Sequence, residues 1–194
     1  MQEGTIFSLD LATVTGWAFG PAGGVPSSGI KRMGDPGCSV GRFLQVFEEW
    51  LNDMLTVYQP QIFAFEAPLL RTGAGGESNT SIDTARKLLC LAGNAERIAL
   101  DHDIPEHLVC EADNSSVCKD FTGRGHFAGD RTAKKNLVMA RCREMGWEPA
   151  DDNAGDALAL WRFMEKRFYP AARKEDFRLQ RETPRSPSSY FRGK

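Results

Sequence analysis

Short runs of β-branched and aromatic residues alternate along this chain with longer stretches of helical period. Thr5 to Asp10 and Thr15 to Phe19 read as a hairpin, and Gly29 to Met33 as a third strand after a loop of Gly, Pro and Ser. Apolar residues then recur at helical spacing (Val40, Phe43, Leu44, Phe47, Leu51, Met54, Leu55) until Gln59-Pro60 stops the pattern. Ile62 to Phe65 is a fourth strand. Ile82, Ala85, Leu88, Leu89, Ala92, Ala95 and Ile98 predict a second long amphipathic helix. His107 to Cys110 follows as a fifth strand, then helices over Arg131 to Met145 and Asn153 to Phe168. No internal repeat interrupts this order.

Three of the apolar runs carry acids at one end: Asp10 in TIFSLDLATVTGWAF, Glu66 in QIFAFEAPLL, and Asp151, Asp152 and Asp156 in ADDNAGDALALW. Carboxylates beside buried hydrophobes are costly unless compensated, and a divalent cation held by oxygen ligands compensates several at once. In an open α/β sheet, chemistry gathers at the carboxyl ends of strands, where Asp10 and Glu66 fall. Asp156 opens a helical pattern (Ala157, Leu160, Trp161, Met164), with Asn153 and Asp152 three and four residues earlier, so one helix end can present two oxygen ligands. The pattern makes Asp10, Glu66, Asp152, Asn153 and Asp156 a candidate Mg²⁺ site. A lone acid ending a strand more often serves a turn, and Pro149-Ala150-Asp151-Asp152 also reads as a helix start, where acids cap free N–H groups.

LDLATVTGWA resembles the first strand and turn of the RuvC-like Holliday junction resolvases, FAFEAP their second acidic strand and DDNAGDALAL their acidic C-terminal helix. The likeness runs from about residue 4 to 168, with the three motifs in order and at approximate spacing. It implies an α/β chain of the RNase H-like fold, a mixed five-stranded sheet flanked by helices on both faces, and a phage-type member is one possibility. Two positions depart from the pattern. Leu11-Ala12 stands where the family often has Pro-Gly. The acid three residues before the last Asp is here Asn153, with Asp152 one position earlier, so the fourth ligand is open between the two.

The resemblance implies a Mg²⁺-dependent endonuclease, with Mn²⁺ able to substitute, that cuts four-way junctions or related branched DNA to leave 5′-phosphate and 3′-hydroxyl ends. Asp10, Glu66, Asp152 and Asp156 would be its catalytic acids. The chemistry suits them, because two cations about 4 Å apart can activate water and stabilise the leaving oxygen of an anionic phosphodiester. Residues 67 to 81 form a glycine-containing loop beside Glu66, where the family carries an aromatic wedge. Leu69 takes that position, followed by Leu70 and Arg71; the leucines suit a base step and packing under the loop equally. The stretch Cys118 to Lys135 reads as a Gly-rich basic loop leading into a helix, with Lys119, Arg124, Arg131, Lys134 and Lys135 for phosphates and Phe121 and Phe127 for base stacking. By resemblance, Lys119 and Lys134 match basic positions near the scissile phosphate. His126 is more in keeping with a surface or packing role.

The 194 residues, 41% hydrophobic and 26% charged, suffice for one nuclease domain over residues 1 to 170 and a tail over 171 to 194. Net charge is −2, but residues 162 to 194 hold ten Lys and Arg against four Asp and Glu, which makes that end +6 and leaves −8 on the rest. The tail reads as basic and disordered, suited to nonspecific phosphate contact or simply to solubility. Without an apolar stretch of membrane-spanning length or a basic leader, a cytoplasmic protein with no membrane partner is expected. Five cysteines without a CxxC pair argue for buried reduced thiols over a zinc cage. Symmetric double nicking calls for a homodimer, with Ser81 to Leu100 as the expected interface. The alternatives are an actin-like nucleotide-binding phosphotransferase, against which Ala12 speaks where that group has glycine, or another nuclease of the same fold.

Overall fold

The computed structural model describes residues 4–35, 37–68, 81–124 and 131–171. A hairpin of β1 (Thr5–Asp10) and β2 (Val14–Pro21) extends to β3 (Ser27–Arg32); α1 (Val40–Tyr58) leads into β4 (Ile62–Glu66), and α2 (Ile82–Asp101) into β5 (Val109–Ala112). Three helices follow: α3 (Asn114–Thr122), α4 (Arg131–Glu144) and α5 (Asp152–Phe168). The sheet order is β3-β2-β1-β4-β5. β1 pairs antiparallel with β2 and β2 with β3, while β1–β4 and β4–β5 are parallel, so the sheet is mixed as expected. No described helix is long and apolar enough to cross a membrane.

The period of two in β1 and β4 divides the core into two layers. Phe7, Leu9, Phe63 and Phe65 pack against α1 and α2. Ile6, Ala18, Ile62, Ala64, Cys110 and Ala112 meet α3, α4 and α5 on the other face. Covered on both sides, the central strands read as continuous apolar runs. Ser39 caps α1 by accepting from the Arg42 amide at 3.3 Å, and Ser81 caps α2 by accepting from the Thr84 amide at 3.1 Å.

Two local expectations need correction. The fifth strand starts at Val109, because Glu106–Leu108 form a 3-10 turn after Pro105. The segment from Cys118 is not a loop: α3 continues through Thr122, and α4 begins at Arg131. Nine residues with only Val117, Cys118 and Phe121 buried leave too short an apolar stripe for periodicity to detect.

The helix that carries Asp156 lies against strand backbone. Gly16 is paired with Asp10, and a Cβ on Gly16 would stand 2.0 Å from the Asn153 carbonyl oxygen. Farther along, the Ser8 hydroxyl donates to the Ala157 carbonyl at 2.8 Å. Only glycine lets α5 seat this closely. Gly16→Ala should lower unfolding stability by about 2 kcal/mol or more, since backbone cannot rotate away from an added methyl. Gly41→Ala on α1, where a Cβ meets nothing within 4 Å, should change stability by less than about 1 kcal/mol. Urea unfolding of both variants checks this, and equal midpoints would mean that α5 is not seated as described.

Candidate functional site

Strand register brings the first two acids together. Ser8 pairs with Ala64 and Leu9 with Phe65, so one further step sets Asp10 beside Glu66 at the carboxyl ends of adjacent parallel strands. Both alternate onto the face covered by α5. Asp156, in the first turns of α5, acts electrostatically on both. Burial first, then the charges of Glu66 and Asp156, raise the pKa of half-buried Asp10 well above the usual carboxylate range; Lys134 and Lys135 pull it partly back. Glu66 is buried and pushed up to about 7, by burial first and then by Asp156, with Asp113 adding to the rise. A hydrogen bond from Asn114 and the charge of Lys134 oppose that shift.

Asn114 was not foreseen from the sequence. β5 holds it in place: Glu66 pairs with Ala112, and the Ala67 amide donates to the Ala112 carbonyl at 2.9 Å. Asp113 then caps α3 by accepting from the Ser116 amide at 2.8 Å, which makes Asn114 the first helical residue. Its side-chain amide donates to Glu66 Oε2, and its carbonyl accepts from Lys134 Nζ. The available signal was an Asp-Asn pair directly after a strand, at the sheet end where both acids lie.

The remaining expected residues separate by position. Lys135 pairs with Asp152, so the adjacent lysines of α4 reach to α3 on one side and to α5 on the other. Asp151 is the cap of α5, accepting from the Ala154 amide at 3.0 Å, and Asn153 Nδ2 donates to Asp151 Oδ2 at 3.1 Å. Lys119 is exposed on α3 and Arg124 exposed just beyond it. Phe121 cannot stack on a base, because it is buried and stacks on Trp147 with ring centroids 6.2 Å apart. Leu69, Leu70, Arg71, His126 and Phe127 lie outside the described residues, as does the side chain of Arg131, whose backbone opens α4.

Three cysteines share the site's layer. Cys110, Cys118 and Cys142 all have raised pKa values, caused first by burial, and Cys142 is pushed up to about 12. For Cys118 and Cys142 the charge of Asp156 adds to the rise.

As placed, no group of three or more His, Cys, Asp or Glu side chains among the described residues is arranged to hold a metal ion. Glu66 faces Asn114 and Asp152 faces Lys135. The donor chemistry nonetheless fits a hard divalent cation: the pKa values of Asp10 and Glu66 stay raised by burial and by neighbouring acids despite the nearby lysines, and an ion held by carboxylate oxygens would offset that cost.

The sheet order, the two parallel pairings and the helices on both faces define an α/β protein of RNase H-like fold. Among solved structures, T. thermophilus RuvC in complex with a Holliday junction substrate matches with a TM-score of 0.62 at 16% identity, over 86% of this chain and 94% of that one. A second Thermus thermophilus RuvC structure matches with a TM-score of 0.58 at 17% identity, over 86% of this chain and 95% of the other. No family model and no curated protein matches the sequence. The likeness to RuvC is one of fold.

The raised pKa of Glu66 fixes a pH dependence. From its ordinary 4.5 up to about 7 the folded chain binds a proton that the unfolded chain has lost, so stability falls as pH rises through this window. Metal-free Glu66→Gln should therefore exceed the wild type at pH 8 by roughly 3 kcal/mol, with the gap closing toward pH 4. Urea unfolding in EDTA measures it, and Mg²⁺ at pH 8 should narrow the gap. A pH-independent difference would contradict the electrostatic origin.

Proposed function

We propose that this chain is a Mg²⁺-dependent, structure-selective DNA endonuclease that cuts four-way junctions or related branches by two-metal-ion hydrolysis. One observation carries the reading: buried Glu66 and partly buried Asp10 and Asp156, from β4, β1 and α5, come within electrostatic reach of one another at the carboxyl end of a sheet with the RuvC fold. Asp10, Glu66 and Asp156 would hold the cations, with Asp152 or Asn153 as a fourth ligand; Mn²⁺ should substitute. Bound divalent cations supply charge neutralisation at an anionic phosphodiester and lower the pKa of water.

The protein's own groups orient and compensate. Asp10 and Glu66 stand on neighbouring paired strands, so their spacing is set by the sheet and not by loops. Lys134 on α4 lies within electrostatic reach of both acids and is suited to meet the charge that develops on the phosphate. Lys119, Arg124, Arg131 and Lys135 would extend the contact along the DNA backbone, with Arg71, Leu69 and Leu70 at the branch. Products would carry 5′-phosphate and 3′-hydroxyl ends.

Paired nicks need paired sites, and α2 offers a dimer surface. Ile82, Leu89 and Leu100 are 82%, 51% and 42% exposed. With Gly93, where a Cβ would meet nothing within 4 Å, they fall at helical offsets of 7, 11 and 18 residues from Ile82 and form one stripe. A second copy packed along this stripe would give a symmetric homodimer. Leu89→Glu should shift the protein from dimer to monomer in light scattering; an unchanged mass would move the interface elsewhere.

A cleavage assay on a four-way junction, a Y-fork, linear duplex and an RNA:DNA hybrid with Mg²⁺ tests the function. The junction should be cut preferentially, and Asp10→Asn or Asp156→Asn should reduce cutting by about 100-fold or more without weakening junction binding. Full activity in either variant would exclude that acid, and preference for the hybrid would make the chain a different nuclease of the fold. For the fourth ligand, Asp152→Asn is expected to raise the Mg²⁺ requirement more than Asn153→Ala, since a carboxylate offsets a cation better than an amide.

A further inference from the structure

We propose that Asn114 is a positioning residue, an amide spacer that keeps Lys134 beside Glu66 while preventing the two from closing into a direct ion pair. Its effect on cleavage rests on the nuclease reading above; its effect on cation binding can be measured without DNA.

The geometry is specific to an amide. Asn114 donates from Nδ2 to Glu66 Oε2 and accepts at Oδ1 from Lys134 Nζ, so one planar group satisfies a carboxylate and an ammonium at once. Neither a carboxylate nor a hydrocarbon of the same size does both. The amide is anchored by backbone: β5 pairs with β4 up to Ala112, and the Asp113 cap fixes the next residue as the start of α3. Lys134 arrives from another helix on a flexible four-carbon stem, which loses rotamer freedom when held.

Without the spacer, the group that now stands between the ammonium and an acid already feeling its charge is gone. Lys134 would then fold onto Glu66 and take the place a divalent cation needs. With it, the ammonium stays one group away, close enough to face a phosphate and too far to neutralise the ligand. Groups outside the ligand set that orient a metal's ligands affect affinity or activity by about 10- to 100-fold in other metal sites. Asn114 occupies that place here.

The test uses the full-length protein and Mn²⁺ as the probe. Asn114→Leu keeps shape and removes both hydrogen bonds, so Mn²⁺ affinity measured by electron paramagnetic resonance should fall by about 10-fold. Adding Lys134→Ala to that variant should restore affinity to within about 3-fold of wild type, because the competing ammonium is gone. A merely structural role predicts the opposite, with the double variant no better than the single one. Asn114→Ala serves where Asn114→Leu folds poorly: it too removes both hydrogen bonds, and the same loss of Mn²⁺ affinity, restored by Lys134→Ala, is expected. Unchanged Mn²⁺ affinity in Asn114→Leu, failure of Lys134→Ala to restore it, or no Mn²⁺ binding by the wild type would each overturn the proposal. The restoring pattern in a protein that cuts no DNA would uphold the spacer and sink the nuclease reading instead.

Discussion

The absence of a side chain at Gly16 is the condition on which the site depends. The carbonyl of Asn153 occupies the space where a Cβ would project from β2, directly across the ladder from Asp10. Backbone therefore meets backbone at the start of α5, and Asp156, three residues on, arrives near the ends of β1 and β4. The Ser8 hydroxyl fixes the next turn by bonding the Ala157 carbonyl, and Trp161 Nε1 reaches the Gly20 carbonyl at 3.3 Å farther down. Contacts along the length of α5 thus set its height and rotation on the sheet. Register supplies two acids, and helix docking supplies the third.

Such convergence opposes folding. Each acid makes its neighbours harder to ionise, and the Asp113 cap adds another negative charge beside Glu66. The chain answers with two consecutive lysines on α4, which compensate part of the charge but not all of it. Local stability is given up where these acids are gathered, as expected if the sequence serves both a fold and a site. The rest of the molecule carries the stability: a continuous aromatic layer runs from Phe7 to Phe63 and Tyr58, with ring centroids 6.1 and 5.9 Å from Phe7.

What the sequence made legible follows from the length and purity of each signal. α1, α2 and α5 carry long apolar stripes, and β1 and β4 are buried on both faces, so their existence and the sheet's class could be read directly. α3 could not, because its polar start and three buried residues look like a loop. The grouping of Asp10, Glu66 and Asp156 was legible because each ends or begins an apolar run. Asn114 was not: its role depends on β5 lying beside β4, a tertiary fact absent from local pattern. The same holds for Phe121, which looked like a stacking platform among basic residues and instead fills the core beside Trp147. Asp151 and Asp152 are adjacent and chemically alike, and only the helix's starting point decides that the first caps and the second turns to Lys135.

The buried cysteines bear on which ions the acids would accept under the proposed function. Cys118 lies close enough to Glu66 and Asp156 to feel both charges, and Cys142 feels Asp156. Were either a thiolate, the pocket would present a soft, polarisable donor beside its oxygens and would favour thiophilic ions such as zinc or cadmium. Burial and the neighbouring acids instead keep these thiols protonated, because the charge that would draw a cation inward also discourages loss of the sulfur's proton. Were a cation to bind these acids, it would meet oxygen donors beside protonated thiols, a chemically hard environment although sulfur is nearby.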